Sequence, residues 1–220
     1  MIQDFLGVNI NYPYNITTEQ ELFFLYGLVS SMNPKTIVEL GGGSVGIFSQ
    51  LFIKAQKNNP EAKLFSIDIL EMKKKSNTHF PVQKDVGDIT PSDLHNRKID
   101  ILIFDCHEVI VQLKFYNKML ENKLIDDDTV LILHDTNLYY EPHATFHKQN
   151  GGTFGLDYKG AHAPQWVERN LTNYFKLKGY DVFNLHTKAE NHNHNYPFLN
   201  GFSVCKKFIP LAPFYLDYPE

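Results

Sequence analysis

The sequence predicts an α/β fold, a doubly wound and mostly parallel sheet of the seven-stranded type with an antiparallel terminal strand pair. Short apolar segments alternate with helical ones at intervals of roughly 25–35 residues, as expected for βαβ units. A glycine-rich turn follows the first apolar segment. The last two apolar segments leave no room for a helix of the earlier kind, so we expect them to pair antiparallel. The whole chain, residues 1–220, is expected to form one domain.

Local patterns place each element of this fold. Residues 1–35 are predicted to be a helical N-terminal region, because Thr18 and Glu21 have the capping-box spacing and an apolar stripe at helical spacing follows them. The predicted helices are 18–32, 45–57, 109–121 and 164–178. The predicted strands are 36–40, 64–68, 81–86, 99–105, 129–135, 180–186 and 201–207.

Composition excludes several classes of protein. The chain has 21 Lys and Arg against 25 Asp and Glu, a formal charge of -4, which argues against a phosphate-backbone binder. No apolar run reaches the roughly 18–20 residues that span a bilayer, and no signal-peptide pattern opens the sequence. Cys106 and Cys205 are too few for a disulfide framework. We therefore expect a soluble, cytoplasmic protein with no nucleic-acid partner and no membrane partner.

Acidic residues stand at the ends of the first five predicted strands. They are Glu39, Asp68, Asp85, Asp105 and Asp135. Ligands of open parallel sheets bind outside the carboxyl ends of the strands, where these side chains would come together. Each acid taken alone could be an ordinary turn or cap residue. Their shared edge of the sheet favours a polar binding site.

The glycine-rich turn has the pattern expected for a nucleoside cofactor. Gly41, Gly43 and Gly46 fit G-x-G-x-x-G between a strand and a helix, where glycine permits a tight turn and close approach of a ligand. Asp68 ends the next strand, where an acid can accept hydrogen bonds from ribose hydroxyls. The pattern suits a dinucleotide and an adenosyl ligand equally well. A purely structural glycine turn is the alternative.

These segments carry a resemblance to a known family. The motifs concerned are Val38-Glu39-Leu40-Gly41-Gly42-Gly43, Phe65-Ser66-Ile67-Asp68 and Ile103-Phe104-Asp105. They resemble the first, second and fourth motifs of class I S-adenosylmethionine-dependent methyltransferases. The segments Phe104-Asp105-Cys106-His107-Glu108 and Leu133-His134-Asp135-Thr136 look like the small O-methyltransferase-like subgroup, the Methyltransferase 24-like proteins.

The resemblance implies S-adenosyl-L-methionine as cofactor and assigns residues to it. Glu39, Gly41 and Gly43 would contact the methionine portion, and Asp68 the ribose. Asp85 and Val86 would contact the adenine.

Candidate catalytic residues lie at the ends of the fourth and fifth strands. They are His107, Asp105 and His134, and His107 could act as a general base because imidazole titrates near neutral pH. Asp105 and Asp135 resemble two metal positions of catechol-type O-methyltransferases, and such oxygen ligands favour Mg2+ or Mn2+. A histidine ligand would instead favour a transition metal. The alternative is that both acids cap helices or orient the acceptor.

The long segment 137–163 is predicted to be a lid over the substrate, because structureless loops of this length are usually functional or disordered. Two histidine pairs lie in or near such loops. His143 and His147 have a spacing that binds metal if their segment is helical, and His192 and His194 stand in an Asn-rich run. Solvent-facing imidazoles are the alternative for both pairs.

The function predicted from the sequence is methylation of an oxygen on a small molecule, such as a sugar or another hydroxylated metabolite. A homo-oligomer is compatible with this function. One alternative is an NAD-dependent oxidoreductase that uses the same glycine turn. A second is a metal-dependent hydroxylase on a methyltransferase-like fold, using His107, His134 and Asp135. A third is a module that binds a ligand or assembles with other chains without catalysis.

Overall fold

A computed structural model describes residues 19–43, 47–136, 167–185 and 201–207. Its seven strands are β1 (Thr36–Leu40), β2 (Lys63–Asp68), β3 (His79–Gln83), β4 (Ile101–Phe104), β5 (Val130–His134), β6 (Tyr180–Leu185) and β7 (Phe202–Lys207). Its α-helices are α1 (Glu19–Met32), α2 (Ile47–Ala55), α3 (Val109–Glu121) and α4 (Val167–Leu177). The predicted N-terminal helix, the second, third and fourth helices, and all seven strands are therefore present.

The strands form one sheet in the order β3-β2-β1-β4-β5-β7-β6. The first five strands of this order are parallel, and β7 runs antiparallel to both of its neighbours. The predicted doubly wound, mostly parallel sheet with an antiparallel terminal pair is confirmed. The order reverses between β1 and β4, so the carboxyl ends of these two strands flank the position where such sheets bind ligands.

Helices cover both faces of the sheet, and each face has its own core. One core joins α3 and α4 to side chains that include Val38 and Leu40 of β1. The other joins α1 and α2 to the opposite face, which carries Ile37. Because side chains alternate along a strand, Glu39 projects toward the same face as Ile37. This alternation places an acid in the layer between β1 and α2.

The third strand differs from its prediction. It is His79–Gln83 rather than 81–86, and Asp85 and Val86 lie beyond its end. The Asp85 side chain accepts a hydrogen bond of 2.8 Å from the backbone N–H of Gly87 and caps a 3-10 helix, Val86–Asp88. An Asp in this position stabilises a turn in preference to a continued strand.

Several predictions concern residues outside the described ranges. These are the chain before residue 19, the lid 137–163, Gly46, and the pairs His143/His147 and His192/His194. Within the described ranges, no helix combines the length and the apolar character that crossing a membrane requires.

Candidate active site

The loop after β1 packs against the end of β4. Gly41 has a φ of +87°, and its N–H donates a 2.9 Å hydrogen bond to the carbonyl of Ile67 on β2. A Cβ at Gly41 would lie 2.6 Å from the carbonyl carbon of Asp105 and 2.8 Å from the nitrogen of Cys106. Only glycine allows this approach. The glycine-rich loop therefore lies in direct contact with the segment after β4.

Gly43 faces open space and is joined to Asp68. Its φ is +57°, and no heavy atom lies within 4 Å of the position that a Cβ would take. Its N–H donates to Asp68 Oδ2 at 2.9 Å, while Leu70 N–H donates to Oδ1 at 2.8 Å. The Asp68 carboxylate is thus held at the end of β2 beside the open side of the loop.

Apolar surface lies next to this carboxylate. Ile69 and Leu70 follow Asp68 directly, and 37% and 55% of these residues are exposed. An acid beside an apolar patch suits a nucleoside, whose ribose hydroxyls donate hydrogen bonds and whose base is flat and largely apolar. The residues present therefore fit the adenosyl portion of the cofactor.

Asp85 and Val86 lie near this patch along the sheet edge. Lys84 N–H donates to the carbonyl of Asp68 at 2.9 Å, so the chain after β3 runs beside the end of β2. Asp85 Oδ1 is engaged by the Gly87 N–H, and Val86 is nearly buried in the core. Among the described residues, no hydrogen bond ends on the other carboxylate oxygen of Asp85, which leaves that oxygen for a ligand.

Glu39 is the buried acid of the glycine-rich loop. Its side chain is 1% exposed, and Ser49 Oγ and Ser66 Oγ each donate to its Oε2 at 2.6 Å. Burial raises the pKa of Glu39, and the two serine hydroxyls oppose that increase. The structure thus brings Glu39, Gly41, Gly43 and Asp68 together around one loop.

The predicted catalytic and metal residues form a compact cluster at the ends of β4 and β5. His134 Nδ1 lies 2.9 Å from Asp105 Oδ1 and 3.0 Å from Asp135 Oδ1. His107 Nε2 lies 3.6 Å from Asp135 Oδ2 and 3.9 Å from Asp105 Oδ1. His107 and Asp135 both have a φ of +57°, in the left-handed region. Such backbone conformations are often found at functional sites.

Part of this cluster fits a cation. Ligand atoms of Asp105, His134 and Asp135 all lie within 4.8 Å of one another. Asp135 Oδ1 is buried and accepts no well-aligned hydrogen bond among the described residues, although His134 Nδ1 lies 3.0 Å away. A buried acceptor without a well-aligned donor is costly, and a bound cation would remove that cost. The mixed oxygen and nitrogen donors suit a transition metal such as Mn2+ better than Mg2+.

Charge governs the protonation of this cluster when no cation is bound. Burial opposes a charged His134, but the carboxylates of Asp135 and Asp105 outweigh it and raise the pKa of His134 to about 9. Burial likewise opposes a charged His107, whose pKa the carboxylates of Glu168, Asp135 and Asp105 raise above its usual value. Burial raises the pKa of Asp135, and the two histidines oppose this rise. In the metal-free protein the carboxylates therefore favour the cationic form of both imidazoles.

Glu168 is a member of the site that the sequence interpretation missed. It lies in the first turn of α4, is fully buried, and accepts hydrogen bonds of 3.0 Å at Oε1 from the backbone N–H of His107 and from Gln112 Nε2. Its Oε2 lies 3.2 Å from His107 Nδ1. One signal was available: Glu168 shares the helical spacing of Leu171 and Phe175, which are both buried. An acid on an apolar helix face needs a buried partner.

Comparison with known proteins gives the class of fold. No family model and no curated protein sequence matches the chain. Among solved structures, cofactor-bound Rv0187 from MTB has a TM-score of 0.56 and 11% identity, over 93% of this chain and 85% of that one. The SAH-bound methyltransferase PaMTH1 of Podospora anserina has a TM-score of 0.53 and 10% identity, over 94% and 86% of the two chains.

A third solved structure is similar to this chain to about the same degree. It is the O-methyltransferase TomG of Streptomyces achromogenes in complex with SAM, with a TM-score of 0.53 and 12% identity, over 88% of this chain and 82% of that one. The fold of the chain is therefore the Rossmann-like fold of methyltransferases. At these identities the likeness shows the fold alone, and function has to be argued from the site.

Proposed function

We propose that the chain is an S-adenosylmethionine-dependent methyltransferase that acts on a hydroxyl group of a small molecule, such as a sugar or another hydroxylated metabolite. The contact between Gly41 and the backbone of Asp105 carries this proposal. Because of this contact, the cluster of Asp105, His107, His134 and Asp135 lies beside a loop suited to the cofactor. SAM-bound TomG and SAH-bound PaMTH1, which share the fold, support the same cofactor here.

The proposed reaction asks three things of the protein: to align the acceptor hydroxyl, to remove its proton and to exclude water. S-adenosylmethionine, when bound, supplies an electrophilic methyl group. His107 is the candidate proton acceptor, because Glu168 lies 3.2 Å from its Nδ1 and its Nε2 faces Asp105 and Asp135. A cation on those two carboxylates would reduce their effect on the pKa of His107 and so favour the neutral imidazole that a base requires. A divalent cation held by Asp105, His134 and Asp135 would supply the Lewis acidity that favours loss of the hydroxyl proton.

One alternative activity has a specific observation in its favour. The cluster offers two imidazoles and carboxylates, with His134 Nδ1 at 3.0 Å and His107 Nε2 at 3.6 Å from the two Asp135 oxygens. Two histidines and one carboxylate are the ligand set of iron-dependent oxygenases. Oxygen uptake by the Fe2+-loaded protein would favour this hydroxylase. The antiparallel β7 departs from the six-stranded dinucleotide-binding order and so does not support the NAD-dependent alternative.

The test of the cofactor is isothermal titration of the metal-stripped protein with S-adenosylhomocysteine, with NAD as the control ligand. We expect micromolar or tighter binding that weakens at least about tenfold in Asp68→Ala, since the loss of a hydrogen bond to a charged group costs roughly 1.5–3 kcal/mol. Asp128→Ala, at an exposed acid far from the loop, should bind normally. Binding of NAD alone, or of neither ligand, would overturn the proposal.

The test of the cation uses the same protein with added Mn2+ or Mg2+. We expect Mn2+ to bind the wild type more tightly than Mg2+, because His134 is a nitrogen donor. Asp135→Asn should weaken the binding of both ions. Methyl transfer would then be followed with a catechol and with a set of sugars, and cofactor binding without transfer to any acceptor would favour a non-catalytic module.

The proposal includes a cytoplasmic location. Both cysteines are free thiols, Cys205 being buried and Cys106 partly so, as expected in a reducing compartment. The proposed partner is a small-molecule acceptor rather than a nucleic acid or a membrane. Light scattering of the purified chain would show whether it forms a homo-oligomer.

A further inference from the structure

A buried chain of hydrogen bonds lies beneath the glycine-rich loop and ends on Glu39. We propose that Ser49, Ser66 and His79 are positioning residues that hold Glu39 as an ionised acceptor for the ammonium group of the cofactor's amino-acid portion. This inference rests on the proposed function and deepens it, because it names the three residues that orient and charge the carboxylate expected to contact the methionine portion. All four side chains are at most 1% exposed.

The buried hydrogen bonds all donate toward Glu39. His79 Nδ1 accepts a 3.1 Å hydrogen bond from the backbone N–H of Lys75, so the proton of the neutral ring is on Nε2. Nε2 lies 3.1 Å from Ser66 Oγ and donates to it. The Ser66 hydroxyl is then free to donate its own proton to Glu39 Oε2 at 2.6 Å. Burial, together with Lys75 and Lys74, lowers the pKa of His79 to about 4, which keeps the ring neutral.

These hydrogen bonds stabilise the negative charge of Glu39, which burial would otherwise remove. An isolated carboxylate in this environment would take up a proton, since burial raises the pKa of Glu39. The hydroxyls of Ser49 and Ser66 act against that tendency by donating short hydrogen bonds to the carboxylate. A hydrogen bond to an ionised acceptor is stronger than one between two neutral groups. Loss of either hydroxyl would favour neutral Glu39, which attracts an ammonium group only weakly.

The geometry leaves one carboxylate oxygen for a ligand. Among the described residues, both hydrogen bonds to Glu39 end on Oε2 and none ends on Oε1. Gly42 packs over the carboxylate, since a Cβ there would lie 3.1 Å from Oε2. The carboxylate thus lies directly under the loop that is suited to the cofactor. Oε1 is then the atom that accepts the ammonium hydrogen bond.

The test compares two ligands that differ in the amino-acid portion. S-adenosylhomocysteine has the ammonium group, and 5′-methylthioadenosine lacks the whole amino acid. We expect Ser66→Ala to weaken the binding of S-adenosylhomocysteine about tenfold or more, because a charge-assisted hydrogen bond is lost, and to change the binding of 5′-methylthioadenosine less than about twofold. Ser49→Ala and Glu39→Gln should show the same selectivity for the ligand pair.

A matched control separates this role from general destabilisation. Thr129 lies directly before β5, and its buried hydroxyl donates to the carbonyl of Ile99. Thr129→Val also removes a buried hydroxyl, and it should leave the affinity for both ligands unchanged. Ser49 lies on α2 and Ser66 on β2, so one variant can be measured if the other does not fold. Melting curves confirm that each measured variant is folded.

The outcomes distinguish the two proposals. Equal weakening of both ligands in the serine variants, or no weakening, overturns the positioning role and leaves the cofactor assignment intact. Equal affinity of the wild type for the two ligands also overturns it, because the ammonium group would then contribute nothing. Failure of the wild type to bind either ligand overturns the proposed function and the positioning role with it.

Discussion

Two positions in the loop after β1 require glycine for different reasons. Gly41 has a positive φ and also lies against the backbone of Asp105, whereas Gly43 has a positive φ and open space beside it. The first position is constrained by both conformation and contact. The second is constrained by conformation alone.

We predict that Gly41→Ala lowers the free energy of unfolding by about 3 kcal/mol or more, and Gly43→Ala by about 1 kcal/mol. The difference arises because a Cβ at Gly41 would lie 2.6 Å from the Asp105 carbonyl carbon. Urea denaturation of the two variants measures it. Equal losses of stability would mean that the loop moves away from β4 without cost.

His134 links stability to pH in the metal-free protein. Its pKa is about 9 in the folded chain and about 6.5 when unfolded, so the protonated ring stabilises the fold. This contribution is complete below about pH 6.5 and is lost as the pH rises through 9. We predict that the free energy of unfolding falls across this window by at most about 3 kcal/mol.

Thermal or urea unfolding in the presence of a chelator, at pH values from 6 to 9.5, measures this dependence. His134→Gln is the matched variant, because its amide can still donate to Asp105 but does not titrate. We expect its stability to fall less than that of the wild type over the same window. A parallel decline in both proteins would show that other groups, such as His107, cause the pH dependence.

At the scale of elements, α4 determines the shape of the segment after β4. Glu168 in its first turn accepts hydrogen bonds from the backbone of His107 and from Gln112 of α3. Leu171 and Phe175 pack the same face of α4 into the core. The helix therefore attaches the segment after β4 to the hydrophobic core.

We predict that Glu168→Ala destabilises the fold by about 2–4 kcal/mol, because it leaves the partly buried N–H of His107 and the buried amide of Gln112 without this acceptor. The exposed third of the His107 side chain weakens the ionic part of this effect. Glu121→Ala, at an exposed acid that ends α3, should change stability by less than about 0.5 kcal/mol. Chemical denaturation measures both, and similar values would show that Glu168 does not attach the segment.

At the scale of the whole molecule, ligand binding should raise the stability of the complete fold. The proposed cofactor site is built from loops after β1, β2 and β3, so the folded sheet is needed to form it. A ligand that binds only the folded chain stabilises it by about 2.7 kcal/mol at a hundred times its dissociation constant.

We predict that S-adenosylhomocysteine at this excess raises the melting temperature of the 220-residue chain by about 5–10 °C. Differential scanning fluorimetry measures the shift. NAD at the same concentration and the Asp68→Ala variant should each give a shift of less than about 2 °C. An equal shift with NAD would show that the loop accepts dinucleotides.

The predicted elements follow from local sequence patterns. The apolar runs at β1, β2, β4 and β5 and the helical stripe of α1 are readable from a few neighbouring residues. Parallel strands bring their carboxyl ends to one edge, so the prediction of Glu39, Asp68, Asp105 and Asp135 as site residues needed no distances. In the structure Asp68 lies beside Gly43, and Asp105 lies near Asp135, while the roles of these residues stay predictions.

The errors occurred where a tertiary or capping contact outweighed the local pattern. The third strand lies at the edge of the sheet with one neighbour, and the cap made by Asp85 ends it earlier than the apolar pattern indicates. Ser49, Ser66 and His79 gave no signal as partners of Glu39, since serine and histidine occur in many environments.

By itself, the sequence determined the order and type of the elements, the glycine-rich turn and the acids at the strand ends. Periodicity and turn chemistry act over a few residues and can be read without coordinates. Only the tertiary structure decided which distant groups meet. Glu168 is 61 residues from His107, and burial of its carboxylate against that backbone depends on the packing of α4 on the sheet. Contacts of this separation arise from the whole fold, so no local pattern encodes them.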